Sequence, residues 1–263
     1  MPDSGISWEK RGLLSWRKGD WESALTNFMR SVQLHANLGD VEGIMEVNSN
    51  LGLLQIDRGN TEQAKKHLEA ALSTAQQSGL AYGIGVTYLH FSHLYLSSSD
   101  WKTALEYCGR SLAILKEIDD QDHMIEIFTN MGTAWLGLGE VELARKWAKE
   151  ALRLCEELGA DSPQTQAEPK GRALRLLGNI CSASGEYEPA GELIRNSLAI
   201  FQSAGNLLEQ GRSALALALV QSNCNDYASA RVHFNEARLI FRQLGASLDL
   251  EMLEASYAQS RLH

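Results

Sequence analysis

Proline is scarce: there are four in 263 residues, and two of them, Pro163 and Pro169, share one segment. A proline inside a helix costs about 3 kcal/mol, so this scarcity leaves helix free to form almost everywhere else. No block of Lys and Arg interrupts a chain of net charge −9, which argues against a direct nucleic-acid partner, because sequence-independent binding needs clustered basic residues. No apolar run nears the roughly 20 residues of a membrane-spanning helix, so no membrane partner is expected. The opening Met1-Pro2-Asp3-Ser4-Gly5-Ile6 has neither the charged nor the apolar region of a secretory leader, and a cytoplasmic location is expected. The cysteines Cys108, Cys155, Cys181 and Cys224 show no C-x-x-C spacing and sit in helical patterns, which predicts buried, unpaired thiols in a reducing compartment.

Signatures of chemistry are also missing. Gly83-Ile84-Gly85 opens a helical pattern but follows no strand, so it does not read as a phosphate cradle. No G-x-S-x-G nucleophile turn occurs. His90 and His93 are three residues apart and can share a helix face, yet no third metal ligand accompanies them. The carboxylates lie at helical spacing on solvent faces, without an isolated inward pair. These absences predict a chain that is not an enzyme, with no cofactor and no metal.

What the sequence does contain is a repeat. Small residues recur at Ala24, Ala64, Ala104, Ala144, Ala190 and Ala230, at intervals of 40, 40, 40, 46 and 40. A second series, Gly12, Gly52, Ser92, Gly132, Gly178 and Ala218, precedes each of these by 12 residues. Turns fall inside each unit at Gly19-Asp20-Trp21, Gly59-Asn60-Thr61, Ser99-Asp100-Trp101, Gly139-Glu140-Val141, Gly185-Glu186-Tyr187 and Asn225-Asp226-Tyr227. Junctions between units fall at Gly39, Gly79, Asp119, Gly159, Gly205 and Gly245. A fixed period in this range is the mark of a solenoid, in which each unit contacts only its neighbours.

Each unit reads as two helices. In the second, Ile44, Val47, Leu51 and Leu54 make one apolar stripe over 41–58; Gly59 ends that helix and Asn60 or Thr61 caps the next. Ala64, Leu68, Ala71, Leu72 and Ala75 form the inner face of the partner helix, and Gly52 is expected opposite Ala64, where a small contact lets the helices cross closely. The reading is a single domain over 1–263, with repeats at about 5–39, 40–79, 80–119, 120–159, 170–205 and 206–245. A polar loop at 160–169 absorbs the six extra residues of the irregular interval, and a capping helix occupies 247–262.

These positions resemble the tetratricopeptide repeat, which has a large residue and a small one in the first helix and alanine, aromatic, alanine in the second. Trp8, Gly12, Ala24, Phe28 and Ser31 fill that pattern in the first unit; Leu217, Ala218, Ala230, Phe234 and Ala237 fill it in the sixth. The 40-residue form, with junctions such as Leu38-Gly39-Asp40 and Leu158-Gly159, is similar to Pins-type scaffolds and to MalT-type bacterial signalling regulators. The resemblance implies an all-α, right-handed superhelix of six helical hairpins plus a C-terminal capping helix. It implies a scaffold that binds a protein or peptide in a concave groove lined by the first helices, or the sensing region of a regulator.

Transferred position by position, the groove would be lined at one end by Leu13, Trp16, Glu46, Leu53, Ile56 and Asp57, suited to a partner helix with apolar anchors and basic flanks. His93, Glu126 and Thr133 would follow, and Arg172, Arg175, Asn179 and Arg212 would form a basic wall at the other end. Guanidinium groups hold carboxylates in bidentate fashion, so that wall is expected to grip an acidic side chain or a peptide C-terminus. The lysine- and asparagine-based carboxylate clamp of chaperone-binding relatives is not matched in the first unit, where Leu13, Trp16 and Arg17 stand instead.

Overall fold

The computed structural model describes residues 4–159 and 166–260. Thirteen helices account for almost all of them, with no strand among the described residues. In order they are α1 (Gly5–Arg17), α2 (Trp21–Leu38), α3 (Val41–Asp57), α4 (Thr61–Gln77), α5 (Ala81–Ser97), α6 (Trp101–Glu117) and α7 (Gln121–Gly137). Then follow α8 (Val141–Gly159), α9 (Ala167–Ala183), α10 (Tyr187–Ala204), α11 (Leu207–Asn223), α12 (Tyr227–Leu244) and α13 (Ser247–Gln259). The helices pair as six hairpins, and α13 stands alone at the end.

The punctuation follows the sequence with one local exception. Aspartates at 20, 40, 100 and 226 begin α2, α3, α6 and α12, each accepting a hydrogen bond from the backbone N–H three residues on. Asn60, expected to cap α4 in the same way, makes no such bond. Its Nδ2 instead donates to Gln55 Oε1 at 2.8 Å, across the turn. The turns need a left-handed residue: Gly59 has φ 79°, while Ser99, Asp119 and Asn225 take φ of 58°, 55° and 61° without glycine's freedom. The expected loop at 160–169 is shorter than predicted at its far end. Glu168 and Pro169 belong to the first turn of α9, where proline's missing N–H has no helical acceptor to lose; 160–165 lies outside the described residues.

Packing within each hairpin is a trade of volume between its two helices. A Cβ on Gly52 would meet Leu68 Cδ2 at 2.5 Å and the Ala64 carbonyl at 3.5 Å, so the glycine admits Leu68 more than it opposes Ala64. A second pairing, 30 residues apart, alternates in size along the chain. Gly5 faces His35, Gly85 faces Leu115, Gly171 faces Phe201 and Gly211 faces Phe241. In the second hairpin the sizes are exchanged, and Met45 packs on Ala75. Large meets small in every case, which keeps the interior close-packed.

The contacts divide the chain into two compact units, up to Asn130 and from Met131. Within the first, α3 packs on α1 and α5; within the second, α11 packs on α9 and α13. Second helices of neighbouring hairpins do not approach one another as closely among the described residues. In each unit the first helices therefore form a continuous seam.

Candidate functional site

In the first unit the seam joins α1, α3, α5 and the early turns of α7. Trp16, on the last turn of α1, is pinned: its Nε1 donates to Asp57 Oδ2 at 2.9 Å, and its ring meets Phe28 edge-on. Leu13 and Leu53 are half-buried on the same stripe. Ile56, expected to line the groove, is instead 8% exposed and part of the apolar core with Leu68, Phe91 and Leu94. His93 Nε2 lies 3.9 Å from Glu126 Oε2.

Two carboxylates on this seam have no neutralising partner shown. Glu9 accepts from Asn50 Nδ2 at 2.9 Å, and Glu46 stands one turn up α3. Burial, then the charge of Glu46, pushes the Glu9 carboxyl above its usual range, against smaller opposing effects of His35 and Asn50. Burial, then Glu42 and Asp40, does the same for Glu46. Half-buried carboxylates that repel one another cost stability in the absence of a cation.

In the second unit the predicted arginines converge, but on the chain's own acids. Arg175 Nη2 donates to Glu209 Oε2 at 2.5 Å and Arg175 Nη1 to Ser213 Oγ at 3.1 Å. Arg212 Nη1 donates to Glu209 Oε1 at 3.0 Å. Its Nε and Nη2 grip both oxygens of Asp249 at 2.8 and 3.0 Å. Burial would raise the Glu209 carboxyl, yet Arg175, Arg212 and Arg172 together hold it far below the carboxylate range. The bidentate fork foreseen for a partner's carboxylate is thus made within the chain, from α9 through α11 to α13. Asn179 lies half-buried one turn beyond Arg175, and Thr133, near the end of α7, is half-buried in this unit.

Sequence reasoning missed Glu209 and Asp249, although a signal existed. They lie 40 residues apart, as Arg172 and Arg212 do, and each follows an arginine by 37. It also missed Ser49 and His90, which are 3% and 8% exposed and carry buried polar atoms without a hydrogen-bond partner among the described residues. Among the cysteines, Cys108, Cys155 and Cys181 are buried as expected, whereas Cys224, at the end of α11, is exposed. Among the described residues no three His, Cys, Asp or Glu stand where they could hold a metal, and no helix is long and apolar enough to cross a membrane.

Residues 3–77 and 125–164 match family models of the tetratricopeptide repeat, so the chain carries such repeats in both stretches. Regulatory protein AfsR of Streptomyces griseus is 30% identical over 127 residues, 48% of this chain and 13% of AfsR. Kinesin light chain-related protein 2 of Arabidopsis thaliana is 21% identical over 245 residues, 91% of this chain and 35% of that protein. The chain therefore spans about a third or less of the length of these two relatives. The solved structure of NprR in complex with its cognate peptide NprX superposes with a TM-score of 0.64 at 16% identity, covering 90% of this chain and 67% of that one. That likeness extends to the fold.

Proposed function

We propose that the chain is a non-catalytic interaction scaffold, holding a partner peptide or helix along the first-helix seam of its first unit. One contrast carries this reading. The basic wall of the second unit is closed by Glu209 and Asp249, whereas Glu9 and Glu46 stand half-buried and mutually repelling beside half-buried Leu13 and Leu53. Apolar anchors flanked by unneutralised carboxylates suit a helix with its own anchors and basic flanks. The peptide held by NprR, on a similar fold, supports the same reading. Helices packed into stacked hairpins are ordered before the partner arrives, which lowers the ordering cost of binding.

Peptides selected from a displayed random library against the chain test this. Leu13→Ser/Leu53→Ser should release them, while Glu62→Gln/Glu69→Gln, on the exposed face of α4, should keep them. Selected peptides that bind both variants equally would overturn the reading.

The similarity to AfsR favours a second reading, in which the chain is the peptide-sensing part of a longer regulator of the MalT type. A change in small-angle scattering when a selected peptide is added would support sensing over static display; an unchanged profile would count against it.

A further inference from the structure

The register of the seam sets particular side chains opposite one another. Asn50 of α3 reaches back 41 residues to bond Glu9 of α1. The same step from His90 of α5 arrives at Ser49 of α3. Both carry polar atoms that are buried and without a hydrogen-bond partner among the described residues, Ser49 Oγ and His90 Nδ1. Ser49 lies on the stripe of Glu46 and Leu53, at spacings of three and four. Next to Glu9 and Glu46, the seam therefore holds two further polar groups whose bonding capacity is unused.

All four groups can accept hydrogen bonds. Glu9 and Glu46 are carboxylates, the serine oxygen has lone pairs, and a neutral imidazole protonated on Nε2 has one at Nδ1. Burial, with His93 nearby, lowers the His90 pKa to about 3 against a weaker opposing pull from Glu126, so the ring stays neutral in ordinary buffers. Asp40, Glu42 and Glu126 add negative charge around the seam; His35, His93 and His123 are the only bases that act on these groups among the interactions described. A nest of acceptors without a strong fixed cation repels anions and leaves nothing for a bare acceptor to bond.

Resting on the reading that a partner lies along this seam, we propose that Glu9, Glu46, Ser49 and His90 form a subsite for a lysine or arginine side chain of that partner. An ammonium or guanidinium group brings several N–H donors and the missing positive charge together. Its stem would lie along Leu13 and Leu53, as long basic side chains do on apolar surface.

The test uses three dye-labelled amphipathic peptides of one leucine pattern, with Lys, Gln or Glu at the polar positions, read by fluorescence anisotropy. The Leu/Lys peptide should bind at least tenfold more tightly than the Leu/Gln peptide, and the Leu/Glu peptide should not bind. Glu9→Gln/Glu46→Gln should erase the lysine advantage while melting at a higher temperature than the wild type, because the repulsion is gone. Ser49→Ala should reduce the advantage with an unchanged far-UV spectrum. Lys and Gln peptides that bind alike, both weakened by Leu53→Ser, would sink the subsite and leave the scaffold reading standing. An equal loss in Glu62→Gln/Glu69→Gln would reduce the effect to net charge and overturn the subsite. So would a failure of all three peptides to bind.

Discussion

The exchanged sizes at positions 30 residues apart make a sharp test of what holds each hairpin together. Gly211 touches Phe241 so closely that a Cβ would sit 2.6 Å from the ring, and Phe241 is fully buried. The second hairpin solves the same position with Met45 against Ala75. Moving that solution into the sixth hairpin requires Gly211→Met and Phe241→Ala. Phe241→Ala alone leaves a cavity and should cost about 3–5 kcal/mol. Gly211→Met alone drives a side chain into the ring and should cost about 1–3 kcal/mol by overpacking, offset by about 1 kcal/mol from replacing glycine within a helix. If the two sites were independent, the double variant would lose about 3–7 kcal/mol in total. If the positions share one volume, it should lose only about 1–2 kcal/mol, a coupling at the upper end of what contacting residues show. Urea unfolding of the four proteins gives the cycle, and hydrogen exchange across α11 and α12 shows whether the change is local. A double variant as unstable as the sum of the singles would refute the volume trade.

Three further outcomes follow from named contacts. Arg175→Met should destabilise the second unit by about 3–5 kcal/mol in chemical denaturation, since it strands the buried Glu209 carboxylate that Arg212 only half satisfies. Because that carboxyl titrates far below its unfolded value, its contribution is present at neutral pH and is lost as pH falls below about 4.5. The wild type should therefore lose stability in that window more steeply than Glu209→Gln, and parallel curves would count against the ion pairs. His90 runs the other way in mechanism: its folded pKa lies near 3, below the ordinary 6.5, so the unfolded chain takes up the proton first and stability drops as pH falls below 6.5. Between pH 6.5 and pH 5 the loss should be about 2 kcal/mol, and His90→Leu should abolish it in pH-dependent melts. Finally, Ser99 holds a left-handed φ of 58°; Ser99→Gly should raise stability by about 1 kcal/mol, and no change in denaturation midpoint would mean that the turn carries no strain.

The sequence and the structure part company at one kind of place. Turn glycines such as Gly59 and the small series from Gly12 to Ala218 were legible because backbone conformation and close crossing admit few residue types, and a 40-residue period shows each of them six times. Side chains that choose among partners carry no such mark. Asn60 had two uses open to it, a helix cap or a bond across the turn to Gln55, and local sequence does not rank them. The arginines met the same ambiguity on a larger scale. Residues 172, 175 and 212 were correctly brought to one region by their register, but whether a guanidinium faces a partner or its own chain depends on acids one hairpin further along, at 209 and 249. At Glu9 and Glu46 the neighbours answer the question differently: Asn50 offers only a neutral donor, and Asp40 and Glu42 add to the negative charge. The repeat thus dictates where side chains stand, while function depends on which charges the next hairpin leaves unanswered. Within the first unit those are the carboxylates beside Ser49 and His90.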